Sequence, residues 1–451
     1  MKQDLQSHET DKKCSTILAR SELLKIRLFT LVVLLCSFAE AISAPQTPFT
    51  RRQYEEDFDQ LWQSIADDYA YFDQKQTDWS RVREIHRPQL SAVKTRNDFV
   101  ALLESVLEEL YDFHSHLNTN TASSPRLVPS GADIWAEWIK NQATITELKP
   151  SSQAEKAGLR IGMQIVSING VAVAEAVRRR IGKSVRASDK AVKDWALRTL
   201  LAGRHNENRS IEVISGEEGK TVALDNEPDS GSTAPRPLLD YRRLEGNVGY
   251  IRINNSLGDT KLIKQFDLSL TALRNTRGLI LDLRDTPSGG NTTVARGIMG
   301  RFIGRELPYQ KHSIPAEERQ YGTKRSWLEL VSPRGDFAYE APVVVLVNHW
   351  TGSMGEGIAI GMDGMKRATI VGTEMARLAG ATSGIKLPNT GIVVTFPTEK
   401  LFHVNGTPRE NFVPPVYVNL LLKVNQEGDV SLTRGLRELR TLRKRPRRYP
   451  R

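Results

Sequence analysis

Ser353 sits in "NHWTGSMGEGIAIGMD", a few residues past the apolar run "PVVVLV", with Gly352 and Gly355 close on either side. A hydroxyl on a glycine-flanked turn that opens a helix is exposed. The first amide groups of such a helix can receive a developing oxyanion. The same residue also suits a plain N-cap, so by itself Ser353 is either a nucleophile or a cap. A second stretch, "GLILDLRDTPSGGN", ends a buried strand in Asp282, Arg284 and Asp285 and then reaches Gly289 and Gly290. Glycines there let backbone N–H groups approach a substrate, or simply supply a positive backbone angle to a turn. "LYDFHSHLN" adds Asp112, His114, Ser115 and His116. Imidazoles and carboxylates can bind zinc, but the H-E-x-x-H helix pattern is missing, and neither a P-loop nor a dinucleotide fingerprint occurs. No metal and no cofactor is expected.

The elements that must carry these residues follow from periodicity. Phe58, Leu61, Trp62, Ile65 and Tyr69 recur at three- and four-residue spacing, as do Phe99, Leu102, Leu103, Val106, Leu107 and Leu110, which predicts two amphipathic helices. From about residue 130 the texture changes to short strands and turns: "QATITEL", a short helix ending in Ala157-Gly158-Leu159, "QIVSING", "RSIEVIS" and "KTVALD". The Pro-, Ser- and Gly-rich stretch 226–237 reads as a linker. Beyond it, "NVGYIRIN", "GLILDLRD", "APVVVLVN" and "ATIVG" alternate with helical runs, the pattern of a mostly parallel sheet covered on both faces.

Taken in order, the helical segment, the β-rich insert, "GLILDLRDTPSGGN", "TGSMGEGIA" and "KRATIVGTEMARLAGATSG" resemble the C-terminal-processing (tail-specific) protease and tricorn-core family of serine peptidases, over nearly all of the chain after residue 50. The resemblance implies an α/β fold with a crotonase-like core, an N-terminal helical domain and an inserted PDZ-like domain. The expected division is 1–44 signal peptide, 45–125 helical domain, 126–228 PDZ-like domain, 238–425 peptidase core and 426–451 basic tail. It implies Ser353 as nucleophile, with an oxyanion hole from the N–H of Met354 and a glycine amide at Gly289 or Gly290. The lysine that one branch of the family places about twenty-five residues after the serine is missing: Leu378 stands near that place, and Lys386 lies further on. The tricorn-like branch instead uses a histidine from the helical region and a glutamate late in the core, which here match His114 and Glu410. Phe113 occupies the place of that branch's relay serine, so either the relay is absent or Asp112 or Ser115 substitutes for it, and His116 competes with His114. The resemblance also implies protein or peptide substrates, taken through their C-termini as a strand added to the PDZ-like domain. Two alternatives share the fold: an inactive peptide-binding member, and a serine esterase or acyl transferase.

Charge and cysteine usage narrow the setting. Lys25 and Arg27, the apolar run from Leu28 to Ala39, and Ala39-Glu40-Ala41 form a secretory signal layout, too short for a spanning helix; an uncleaved membrane anchor is the alternative. Export to the periplasm is therefore expected. Both cysteines, Cys14 and Cys36, fall within that leader, so the mature chain would have no thiol chemistry. Much of the net charge of +10 lies in "TRGLRELRTLRKRPRRYPR". That segment reads as a solvated tail or a contact for an anionic surface, and no nucleic-acid module accompanies it.

Overall fold

A computed structural model describes residues 49–225, 236–423 and 428–444. The leader and residues 226–235 of the linker lie outside the described residues. Among the described residues no helix is long and apolar enough to cross a membrane.

The helices form where capping and periodicity agree. Arg51–Asp68 starts from a capping box between Thr50 and Gln53, and Arg96–Glu108 from one between Thr95 and Asp98. Between them Trp79–His86 is capped by Asp78. Their apolar faces meet in one core that includes Phe58, Leu61, Ile65, Phe99, Leu103 and Val106. That core also takes Val394 and Phe396 from the late strand Val393–Phe402. The expected separate helical domain is thus packed as one body with the last strands of the chain. A buried carboxylate fixes the joint: Asp57 accepts from the amides of Asn389 (2.9 Å) and Thr390 (2.8 Å) and from the Thr390 hydroxyl (2.6 Å).

The insert is a sheet in which Ile134–Ile139, Gln142–Leu148, Gln164–Ile168, Arg209–Ser215 and Glu218–Leu224 lie side by side in that order, all antiparallel. The helices Val173–Arg180 and Lys190–Ala202 complete its core through Val177, Trp195 and Leu197. The second helix has a clear local signal that periodicity in the sequence carries: Asp189 caps it, Val192, Trp195, Ala196 and Thr199 share a face, and Gly203 ends it at φ 71°.

After the linker the chain builds a six-stranded sheet. Val248–Ile253, Leu279–Asp282, Val343–Val347, Ala368–Gly372 and Val416–Tyr417 run parallel, and Leu239–Leu244 pairs antiparallel at one edge. The apolar run at 343–347 is buried on both sides because alternate residues serve different layers. Val343, Val345 and Val347 meet Ile358, Ala359 and Met362 of the helix Met354–Gly364, whereas Val344 and Leu346 meet Leu439. Leu439 belongs to the helix Val430–Lys444, so most of the expected basic tail is not a tail. Leu432, Leu436, Leu439 and Leu442 repeat at helical spacing and lie against the sheet, while Arg434, Arg437 and Arg440 are exposed. A second, antiparallel sheet holds His116–Leu117, Ala381–Lys386, Val393–Phe402, Leu307–Ser313 and Ser326–Val331.

Asp57→Ala leaves buried amides without acceptors, which cost about 1–3 kcal/mol each. Urea unfolding is expected to show a loss of about 2–4 kcal/mol, and an unchanged midpoint would refute this joint.

Candidate active site

The turn before Ser353 is built from the ends of two neighbouring parallel strands. The Thr351 hydroxyl donates to the Leu283 carbonyl (3.0 Å) and accepts the Asn348 amide (3.0 Å), while the Gly352 amide donates to Thr286 (3.2 Å). A side chain at Gly352 would lie 2.6 Å from the Pro287 carbonyl oxygen, so the crossing needs glycine. Ser353 follows at φ 49°, ψ −110°, a conformation that costs a non-glycine residue about 1–3 kcal/mol unless its surroundings impose it.

Glu356 imposes it. Its carboxylate, fully buried one turn into the helix, accepts the amides of Ser353 (2.8 Å) and Arg377 (2.9 Å), and Arg377 is itself at φ 58°. Burial pushes its carboxyl up to about 7, against the opposing pull of Arg409 and the two amides. Gly289, at φ 64°, lies directly against the serine: a Cβ there would be 2.4 Å from Ser353 Cβ and 3.1 Å from the Met354 nitrogen. The glycine pair is not equivalent. The Gly289 amide donates to Thr286 (3.1 Å), whereas those of Gly290 and Met354 have no acceptor among the described residues.

His114 comes from the turn after the third helix of the N-terminal region. Asp112 accepts the His114 amide (2.8 Å) and the Tyr69 hydroxyl (2.7 Å), so it fixes the backbone under the imidazole and does not bond the ring. The ring is held by the Ala379 carbonyl, 2.6 Å from Nδ1. A carbonyl can only accept, which puts the proton on Nδ1 and leaves the Nε2 lone pair as the proton acceptor. Burial, followed by the positive charge of Arg409, drives the imidazole down to about 4, although the Ala379 carbonyl and Asp112 oppose this.

Arg409 connects the two halves. It is 2% exposed, and it donates to the carbonyls of Ser353 (3.3 Å), Leu378 (2.9 Å) and Gly380 (2.7 Å). The carbonyl between the last two, that of Ala379, orients His114. Sequence reasoning passed over Arg409, since an arginine in "TPRENF" looks like an ordinary surface charge. Its neighbour Glu410 lies 3.5 Å from the Tyr71 hydroxyl, and among the described residues no hydrogen bond joins it to His114. The other expected groups lie apart. Phe113 packs toward Trp195 of the insert, 6.5 Å between ring centres, and the Ser115 hydroxyl is buried without a partner. His116 pairs with Thr395 in a strand, with Nδ1 3.3 Å from the Leu117 carbonyl. Leu378 is buried with Cδ1 facing Gly352, and Lys386 is exposed on a strand.

Comparison with known proteins adds to this geometry. Residues 247–417 match the profile of Peptidase family S41, and residues 50–108 that of the Tricorn protease C1 domain. The carboxyl-terminal-processing protease of Synechocystis sp. is 26% identical over 320 residues, covering 69% of this chain and 68% of that protein. Tricorn protease homolog 1 of Streptomyces coelicolor is 24% identical over 360 residues, 75% of this chain but 30% of the homolog. Among solved structures, mature CPAF has a TM-score of 0.58 at 15% identity, covering 87% of this chain and 97% of its own. The photosystem II D1 C-terminal processing protease has a TM-score of 0.50 at 17% identity, covering 81% and 93%. At such identities the structural likeness is one of fold.

The contact of Gly289 with Ser353 makes a paired comparison. Gly289→Ala combines backbone strain with a clash, whereas Gly246→Ala, at φ 73° with nothing within 4 Å, carries strain alone. Gly246→Ala is expected to cost about 1 kcal/mol in chemical denaturation and Gly289→Ala about 2 kcal/mol more. Equal losses would mean that the close approach is relaxed in solution.

Proposed function

This chain being a serine peptidase with a family S41 domain behind a tricorn C1 domain, we propose that it hydrolyses peptide bonds by acylation of Ser353, with His114 as general base. The observation that carries this reading is the Nδ1 contact of His114 with Ala379, whose flanking carbonyls hold the same guanidinium as Ser353. His114 Nε2 takes the Ser353 proton as Oγ attacks the scissile carbonyl. The amides of Met354 and Gly290 receive the oxyanion, since that of Gly289 is already engaged. The imidazolium then protonates the leaving amine, and water repeats the sequence on the acyl-enzyme. The Ala379 carbonyl takes the orienting part that a carboxylate plays in other serine peptidases. Glu410, beside the Tyr71 hydroxyl, supports the site from a distance, and Asp112 acts through the backbone and the charge it presents to His114.

The finer organisation belongs to the same proposal: a crotonase-like core, a PDZ-like insert and an exported mature chain whose leader is removed. In the insert, Ile134–Ile139 is one of two edge strands, Glu218–Leu224 being the other, and it is the one beside the helix Lys190–Ala202 where a peptide would add. Two of its ladder groups are engaged: the Trp138 amide donates to Asp194 (3.0 Å), and Arg198 donates to the Ala136 carbonyl (3.2 Å). A substrate tail therefore enters beside the strand, in a cleft of about 770 Å³ lined by Trp138, Val177 and Ile181, with Lys140 and Lys193 for its carboxylate.

Two tests follow. Fluorophosphonate labelling should require Ser353 and slow by about 100-fold or more in His114→Ala. Because the base works as the neutral ring, and the ring is depressed to about 4, loss of labelling through protonation of His114 should set in only near pH 4, and any change near pH 7 reports Glu356, whose carboxyl is pushed up to about 7. An acid limb centred near 6.5 would show a ring that burial and Arg409 do not depress, an unslowed His114→Ala would contradict His114 as the base, and labelling that survives Ser353→Ala would contradict the nucleophile. For the cleft, Lys140→Glu with Lys193→Glu should raise KM severalfold for a peptide with a free C-terminus and leave its amidated form unaffected. The same KM change for both peptides would remove the carboxylate-reading role.

A further inference from the structure

The insert reaches the nucleophile turn through one carboxylate. Glu147, at the end of the strand Gln142–Leu148 and 7% exposed, accepts from Asn348 Nδ2 (3.0 Å), from His349 Nδ1 (2.5 Å) and from the Thr373 hydroxyl (3.2 Å). Asn348 and His349 are the first two residues of the turn that leads to Ser353. The third, Trp350, donates its indole N–H to the Ala132 carbonyl of the insert (2.8 Å) and packs among Val128, Ala132 and Trp135. The His349 ring stacks on Trp135 at 4.5 Å and 16°, and the Arg198 guanidinium lies 4.2 Å from the Trp135 ring centre. Asn348, His349 and Trp350 are all at most 5% exposed.

None of these residues is part of the chemistry described above, and a turn after a buried strand needs no carboxylate from another part of the chain. A buried carboxylate is costly unless several donors meet it, so its presence calls for a reason. The strain at Ser353 supplies one. Glu356 and Arg409 hold the serine from its C-terminal side, but the residues before it must be fixed as well, or φ at Ser353 can relax by rotation of the Asn348–Gly352 segment. Glu147 grips that segment at its start, at Asn348 and His349, where Thr286 holds it further on, at Trp350 and Gly352.

We propose that Glu147 is a positioning residue for the nucleophile: through Asn348 and His349 it sets the turn that presents Ser353, which makes the insert a structural part of the active site. The proposal rests on Ser353 being the nucleophile.

The experiment compares full-length wild type, Glu147→Ala, Glu147→Gln and Val213→Ala, a substitution in the insert's own core remote from the turn. The first readout is the rate at which a small fluorophosphonate phosphonylates Ser353 with loss of fluoride, a reaction that needs no tail-reading cleft. The second is amide hydrogen exchange in peptides covering 348–357. Glu147→Ala is expected to slow phosphonylation by about 10- to 100-fold and to raise exchange in that segment, with cooperative unfolding retained. Glu147→Gln, which keeps one acceptor, should fall between the two. Val213→Ala should lower the unfolding temperature yet be phosphonylated within twofold of the wild-type rate. Phosphonylation of Glu147→Ala within twofold of wild type overturns the proposal, whatever the exchange result, as does an equal slowing in Val213→Ala. A Glu147→Ala chain that fails to fold leaves Glu147→Gln to decide, and a normal rate there is equally fatal. Wild-type labelling that persists in Ser353→Ala instead removes the nucleophile reading, and this proposal with it.

Discussion

The guanidinium of Arg409 is the contact on which the site turns. Three backbone carbonyls from two separated segments converge on it, and Glu356 lies 3.9 Å away with both side chains out of water. A buried cation with several acceptors cannot shift without leaving itself and those acceptors unpaired, so the geometry it selects is stiff. The segment Leu378–Gly380 is held by it on both sides of Ala379. The direction of the Ala379 carbonyl, and with it the tautomer and tilt of His114, is therefore inherited from an arginine that touches neither reacting atom. The same charge helps to keep the imidazole neutral down to about pH 4.

Around that contact the backbone is held away from its preferred angles. Ser353 and Arg377 both have positive φ, and a single carboxylate, Glu356, accepts both of their amides. One buried acid thus stabilises two strained residues from different loops. Gly289 and Gly352 complete the arrangement, because the atoms facing them leave no space for a side chain. The serine is consequently presented by backbone and buried charge, not by its own side-chain contacts.

Much of this was legible in advance. The run at 343–347 announced a strand buried on both faces, and the spacing of Phe58, Leu61 and Ile65 announced the helix that carries them. The glycines around 289 and 352 marked close approaches of backbone. Less legible were features whose meaning depends on what lies across the fold. The leucines of "LTRGLRELRTL" were outweighed to the eye by arginines, although their helical spacing was there to be read. The antiparallel strands 307–313 and 326–331 are short and polar on one face, so they carry little periodic signal of their own. Arg409 and Glu147 were invisible because nothing local distinguishes a buried charged residue from an exposed one.

The sequence by itself determined the main helices, the parallel strands, their order, and a serine at the mouth of that sheet, since those follow from hydrophobic period, capping residues and glycine, all of which act over a few residues. Only the tertiary structure decided which charges are buried and what they hold. It brought the carbonyl of Ala379 to His114, left Glu410 with Tyr71, engaged the Gly289 amide while freeing that of Gly290, and tied two ladder groups of the edge strand Ile134–Ile139 to Asp194 and Arg198. The physical reason is that a hydrogen bond or an ion pair is specified by two partners. When those partners are separated by tens or hundreds of residues, neither one carries a record of the other.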